Sequence, residues 1–218
     1  MIKIKIFVLL IIAILFTGCA SFLQKDGYYT GEKAIKKDHG IVLSSVTVNS
    51  NVGSALYVSI SLVNIETGEK IDLENKICRI KKDSPGMGPL AQLFIEDKPD
   101  QIDLEGRCGS LLVGEVQSGK YLIKSISITS VNNAVGGYAS TMSQTLKEKK
   151  TVEIKDSQIV YIGNVDANIT FAEFSFLIYN GTISMINNYE RDEKVFKRDY
   201  PLLKKTIVKD SSIVLKVK

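Results

Sequence analysis

The sequence predicts a mainly β protein, an antiparallel β-sandwich with a short C-terminal helical element. Three observations lead there. Between Ile41 and Ile186, apolar residues alternate with Ser, Thr and Asn in short runs, the period of strands that bury one face and wet the other. Turn-forming residues punctuate those runs. No strand-to-helix alternation of a parallel βαβ unit occurs, so Gly136-Gly137 reads as a sheet connection rather than a phosphate loop. The chain has 218 residues, 44% hydrophobic and 24% charged. That balance excludes a disordered tail, a collagen-like fibre and a multi-span membrane protein.

The first two strands are Ile41–Val48 and Ala55–Asn64, with Asn49–Gly53 as a hairpin turn between them. In the second, Leu56, Val58, Ile60 and Leu62 share one face, and Tyr57, Ser59, Ser61 and Val63 the other. Glu66-Thr67-Gly68-Glu69 is a second turn, leading into Lys70–Ile80. Leu111–Val116 and Lys120–Ser130 flank Gln117-Ser118-Gly119, a third hairpin. In the latter strand Leu122, Lys124, Ile126 and Ile128 oppose Tyr121, Ile123, Ser125 and Ser127. Thr151–Lys155 and Gln158–Thr170 follow. Ala172–Tyr179 and Thr182–Ile186 bracket Asn180-Gly181, a pair that tolerates positive φ at both turn centres and so signals a hairpin. A helix is expected over about 189–209. Asn188 caps it, Glu190, Asp192 and Glu193 lie near its first turn, and Val195, Phe196 and Tyr200 form its apolar face. Pro201 must break or restart it. Ser212–Val217 supplies an edge strand.

Ahead of this domain, Lys3 and Lys5 precede Ile6–Phe16, 11 apolar residues. As a helix they cover about 16 Å, half of a ~30 Å hydrocarbon core, which fits a signal-peptide core rather than a span. The run ends in Phe16-Thr17-Gly18-Cys19, which resembles the lipobox of bacterial lipoproteins, with Phe16 and Thr17 in place of the commonest residues. The resemblance implies a diacylglyceryl group on the Cys19 thiol, cleavage before Cys19 and acylation of the new amino terminus. It divides the chain into a signal peptide (1–18), a lipidated tether (19–40) and one sandwich domain (41–218). Tyr28 and Tyr29 in the tether are placed to dock on the domain or on the lipid interface. Ala20 follows the cysteine, which in Gram-negative lipoproteins favours the outer membrane. Losing Lys3 and Lys5 lowers the net charge from +4 to +2, which argues against nucleic acid as a partner. The expected partners are the membrane, through the acyl chains on Cys19, and an unknown envelope protein or polymer.

Glu115-Val116-Gln117-Ser118-Gly119-Lys120-Tyr121-Leu122 is similar to the hairpin-and-strand unit of small bacterial lipoproteins with prealbumin-like (transthyretin-like) sandwiches. Gln158-Ile159-Val160-Tyr161-Ile162-Gly163 is similar to a later strand of that group. The resemblance implies a prealbumin-like sandwich and brings no catalytic residues.

Candidate chemistry is sparse. A single histidine, His39, excludes sites needing two His ligands and reads as a turn residue. Cys78 and Cys108 remain once Cys19 is lipidated. In an oxidising envelope they are expected to form a disulfide framing the insert Lys81–Gly106. Asp97, Asp100, Asp103 and Glu105 lack the spacing of a calcium loop and read as solvated. Lys147, Lys149 and Lys150 read as a wet turn. No catalytic residue, metal or cofactor is expected. The function this implies is a non-enzymatic, membrane-anchored envelope lipoprotein that binds or stabilises another envelope component. A cell-surface hydrolase or carbohydrate-binding module is the competing reading; the absence of Trp removes its best stacking platform.

Overall fold

The computed structural model describes residues 29–50, 56–77, 102–104, 107–132, 138–171 and 178–214. Among them lie ten strands: β1 (His39–Ser50), β2 (Leu56–Asn64), β3 (Lys70–Ile77), β4 (Ile102–Leu104), β5 (Arg107–Gln117), β6 (Gly119–Asn132), β7 (Tyr138–Ile154), β8 (Ile159–Phe171), β9 (Ile178–Ile186) and β10 (Val208–Asp210). One helix, α1 (Tyr189–Asp199), is followed by a 3-10 turn, Pro201–Leu203. Sheet A runs β10-β8-β1-β5-β4, with β9 also beside β8; sheet B runs β3-β2-β6-β7. The fold is therefore a β-sandwich with a short C-terminal helix, as the alternating pattern predicts. Two pairings in sheet A are parallel, β1 with β8 and β10 with β8.

The alternating faces explain the layers. Leu56, Val58, Ile60 and Leu62 from β2 meet Val42, Val46, Val160, Ile162 and Val165 from sheet A in the inter-sheet core. Each such side chain contributes about 1.5–3 kcal/mol on burial. The first half of β8 is buried on both faces. Its other face joins a second core of Tyr29, Ile41, Leu43, Leu111, Val113, Tyr161, Phe196 and Tyr200 under α1. The molecule is thus three layers: sheet B, sheet A and the helix.

Several local expectations are corrected. The connections after β1 and β5 are not hairpins, because β1 and β5 lie in sheet A while β2 and β6 lie in sheet B. At Ser118 the chain turns a corner between sheets, which lets Val116 and Tyr121 on either side both enter the inter-sheet core. The turn after Asn64 is a true hairpin, with Gly68 at φ 73° and the Asn64 side chain accepting from Glu66 and Thr67 N–H. Asn180-Gly181 is no turn: both residues lie inside β9, paired with Thr170 and Ile169. Gly181 is there for close approach, since a Cβ would stand 2.8 Å from the Asn168 carbonyl and from Met142 Sδ. The strand expected over Thr151–Lys155 is the end of the 17-residue β7. The stretch Lys147–Lys150 is strand, not turn: four residues, 146–149, fit opposite Lys124 alone. That bulge also resets the phase of β6. Tyr121 and Ile123 face the core before it, and Ile126 and Ile128 after it, so the face read from continuous alternation holds for only part of the strand.

The helix is shorter than 189–209 and its cap differs. Asn188 makes no side-chain cap; Asn187 Oδ1 accepts from Tyr189 N–H instead, at 2.8 Å. The described edge strand is β10, whose Val208 reaches the second core; of the expected edge strand Ser212–Val217, residues 212–214 form no strand and 215–217 lie outside the described residues. Part of the expected tether belongs to the packing. Tyr29 is buried, donates its N–H to Val113 O at 3.1 Å and stacks on Tyr200.

Gly40 shows how tightly the β1 corner is built. A Cβ there would meet Lys155 O at 2.6 Å and Gln158 O at 2.8 Å, backbone atoms that cannot swing away. Gly40→Ala is expected to cost about 1–3 kcal/mol, as overpacking does, seen as a lower urea midpoint with an unchanged slope.

Candidate functional site

Two polar constellations stand out, one buried and one open. The buried one sits where α1 crosses the β1–β8 pair. Asp192, fully buried, points back from the first turn of α1 onto sheet A. Its Oδ1 accepts from Arg191 Nε and Nη2, both at 2.7 Å. Its Oδ2 accepts from the Tyr161 hydroxyl at 2.5 Å and from Ser45 Oγ. Ser45 Oγ also lies 2.8 Å from Asn164 Oδ1, which accepts from Arg191 Nη2 at 2.9 Å. Asn164 Nδ2 donates to Thr47 Oγ1 at 3.0 Å, and Thr47 donates to Asp166 at 2.9 Å. The parallel register places Ser45 opposite Asn164 and Thr47 opposite Asp166, so the polar side chains form a ladder.

Both oxygens of Asp192 are satisfied and none of its surface reaches solvent. This arrangement clamps the helix to the sheet, and Asp192 itself offers no atom to a substrate. An 11-residue helix is marginal in isolation. Here Phe196 and the stacked Tyr200 (centroids 4.8 Å apart) hold one end of α1, and the Asp192 network holds the other. Tyr161 titrates far above its ordinary 10.0, first because it is buried and then because Asp192 is beside it. Tyr189, packed edge-on against Tyr161, is pushed up to about 12, mainly by burial and then by Glu193. Folded-state values above the unfolded ones mean stability that is full below pH 10 and declines as pH rises past it. Urea midpoints should therefore fall steeply above pH 10, and Tyr161→Phe should flatten that slope.

The open constellation is the outer face of sheet B. The registers of β2, β6 and β7 align Tyr57 with Thr129 and Thr141, Ser59 with Ser127 and Ser143, and Ser61 with Ser125 and Thr145. These form a lattice of hydroxyls, about 4.8 Å apart between strands and about 6.8 Å along them. Thr129 and Thr141 hydroxyls pair at 2.9 Å. Strand β3 adds Asp72 and Glu74 opposite Ser61 and Ser59; Asp72 accepts from Ser61 at 2.6 Å and Lys70 at 2.9 Å. The face holds an open groove of about 520 Å³, with Tyr57, 40% exposed, among its lining residues. Its hydroxyls, carboxylates, ammonium and aromatic ring suit recognition of a polar, hydroxylated ligand.

The residues singled out from sequence fare differently. Cys19, Cys78, Asp97, Asp100, Glu105 and Gly136-Gly137 lie outside the described residues, as do Tyr28 and most of the insert Lys81–Gly106. Cys108 stands in β5, its backbone opposite Val48 and Asp103, and its side chain is outside the described set. Asn75, three residues before Cys78, donates to Ser110 Oγ and Leu111 O, both at 2.8 Å; Ser110 is two residues after Cys108. His39 opens β1, its Nδ1 2.9 Å from Lys37 O. Among the described residues no three His, Cys, Asp or Glu side chains gather as a metal site. Sequence reasoning missed the Asp192 network. Its signal was the polar residues Ser45, Thr47, Asn164 and Asp166 inside otherwise apolar strands.

Comparison with known proteins adds no argument. No protein family matches the chain, and no curated protein does. Among solved structures, a leucine-rich repeat protein from Bacteroides thetaiotaomicron matches over 62% of this chain and 14% of its own, with 14% identity and a TM-score of 0.28.

Proposed function

We propose that the chain is a bacterial envelope lipoprotein, anchored by acyl chains on Cys19, whose sandwich domain acts by binding another envelope component. The outer face of sheet B is its contact surface. The observation that carries this reading is the asymmetry between the two sheets: α1 covers the outer face of sheet A, while among the described residues no element lies over the hydroxyl lattice of sheet B. The motif at Phe16–Cys19 supplies the location, with the outer membrane as the destination in a two-membrane cell. Mass spectrometry of the protein extracted from its native envelope tests the anchor. The expected mature chain begins at Cys19 and carries acyl groups; an unmodified Cys19 rejects it.

The same compartment suits a Cys78–Cys108 disulfide, supported by the Asn75–Ser110 contact that ties β3 to β5 three residues before Cys78 and two residues after Cys108 in sequence. In the chain-entropy model a bridge across about 30 residues contributes roughly 3–4 kcal/mol. Non-reducing peptide mapping should recover Cys78 joined to Cys108. Alkylation of both thiols in unreduced, unfolded protein would reject the bridge.

The groove on sheet B favours a second reading, a module that binds an envelope polysaccharide. Tyr57 supplies a ring for stacking on a sugar face, and Asp72 and Glu74 supply acceptors for sugar hydroxyls. Affinity electrophoresis through gels containing envelope polysaccharide distinguishes the two. Retardation lost in Tyr57→Ala supports the glycan, and unretarded wild-type protein supports a protein partner.

A further inference from the structure

From the geometry of the C-terminal turn we infer a second interaction surface, at Leu202–Lys209, that rests on the anionic surface of the bilayer. The inference builds on the lipid anchor proposed at Cys19. Two large apolar side chains stand out in this turn: Leu202 is 63% exposed and Ile207 is 84% exposed. Their neighbours Leu203 and Val208 are buried in the second core, so the exposed pair is held outward by a fixed framework. The turn is also closed by its own backbone, with Lys204 N–H on Pro201 O at 3.3 Å and Thr206 N–H on Leu203 O at 2.9 Å.

The charge of the turn itself has one sign. Lys204, Lys205 and Lys209 are exposed, and no acid lies between Pro201 and Lys209. Of the flanking carboxylates, Asp199 pairs with Arg198 at 2.6 Å, while Asp210 keeps its charge and accepts from Asn187 at 3.2 Å and from Ser212, so three lysines face one uncompensated acid. Apolar tips ringed by lysines match the depth profile of a lipid surface. The tips reach the acyl boundary while the ammonium groups meet anionic headgroups.

The anchor's route selects this occupant. The described chain starts at Tyr29, whose ring stacks on Tyr200 with centroids 6.0 Å apart, directly before Pro201 and Leu202. Only ten residue steps separate Tyr29 from Cys19. Ten residues span at most about 35 Å. A lipid on Cys19 therefore keeps this corner within that distance of the headgroups.

The test uses the full lipidated protein reconstituted into vesicles of phosphatidylcholine, with or without a minority of phosphatidylglycerol. Flotation reports the anchor. Acetylation by a soluble reagent, read by mass spectrometry, reports each lysine, with exposed Lys124 on sheet B as internal reference. On anionic vesicles Lys204 and Lys205 should react about fivefold more slowly than on neutral ones, with Lys124 unchanged. The double variant Leu202→Asp, Ile207→Asp should still float yet recover the faster rate. Equal rates on both vesicle types, or an unchanged rate in the variant, overturn the surface while leaving the anchor intact. Protein that fails to float overturns the anchor and this surface together.

Discussion

Asp192→Ala should lower the unfolding free energy by about 3 kcal/mol, the low end of what breaking a buried ion pair costs. The low end applies because Arg191 keeps 27% of its side chain exposed, whereas Asp192 keeps none. Water can therefore re-solvate part of the guanidinium. The Tyr161 hydroxyl loses its acceptor as well, whereas Ser45 keeps Asn164 Oδ1 within reach, and an orphaned buried donor adds to the cost. The loss should concentrate in α1, seen as lost hydrogen-exchange protection over Tyr189–Asp199, while sheet B retains its protection. Tyr161→Phe removes the bond to Asp192 and the longer one from Asn188 N–H but leaves the ion pair, so it should cost about 1–2 kcal/mol. If Asp192→Ala cost as little as an exposed pair, about 0–1 kcal/mol, the clamp would be dispensable and Phe196 with Tyr200 would suffice to dock the helix.

Cys19→Ser should abolish lipid attachment outright. Each buried CH₂ of an acyl chain contributes about 0.8 kcal/mol, and two or more chains hold a protein stably where one does not. In the function proposed here, acylation of Cys19 carries the anchoring. Labelled fatty acid should enter wild-type protein and not the serine variant, which should keep the uncleaved leader mass. Normal labelling of the variant would place the lipid elsewhere.

Much of the sandwich was legible because burial of one face imposes a period of two, as in Leu56–Leu62 against Tyr57–Val63. That same strand displayed a third of the hydroxyl lattice. What the sequence hid was partnership. Whether Ser118 closes a hairpin or turns a corner depends on which sheet the next strand joins, and both outcomes want a short polar link. Asn180-Gly181 carries a turn signal, yet the glycine answers to the Asn168 carbonyl and Met142 across the fold. The phase slip at Lys124 depends on both neighbours: Ser61 and Leu62 of β2 pair with Ser125 and Ile123 and skip it, and four residues of β7 lie opposite it. Ser45 and Asn164 are 119 residues apart, and no local pattern links them. Asp192 looked like an ordinary acid in a helix first turn, because its burial is decided by the strands beneath it.

Site-specific photo-crosslinking in the native envelope tests the central claim most directly. A photoreactive residue replaces Ser59 or Ser127 on sheet B, and in parallel Lys194, exposed on α1. The account expects a discrete adduct with an envelope component from both sheet B positions and none from Lys194. Adducts from Lys194 alone, or none from either strand, would contradict the assignment of sheet B as the contact surface.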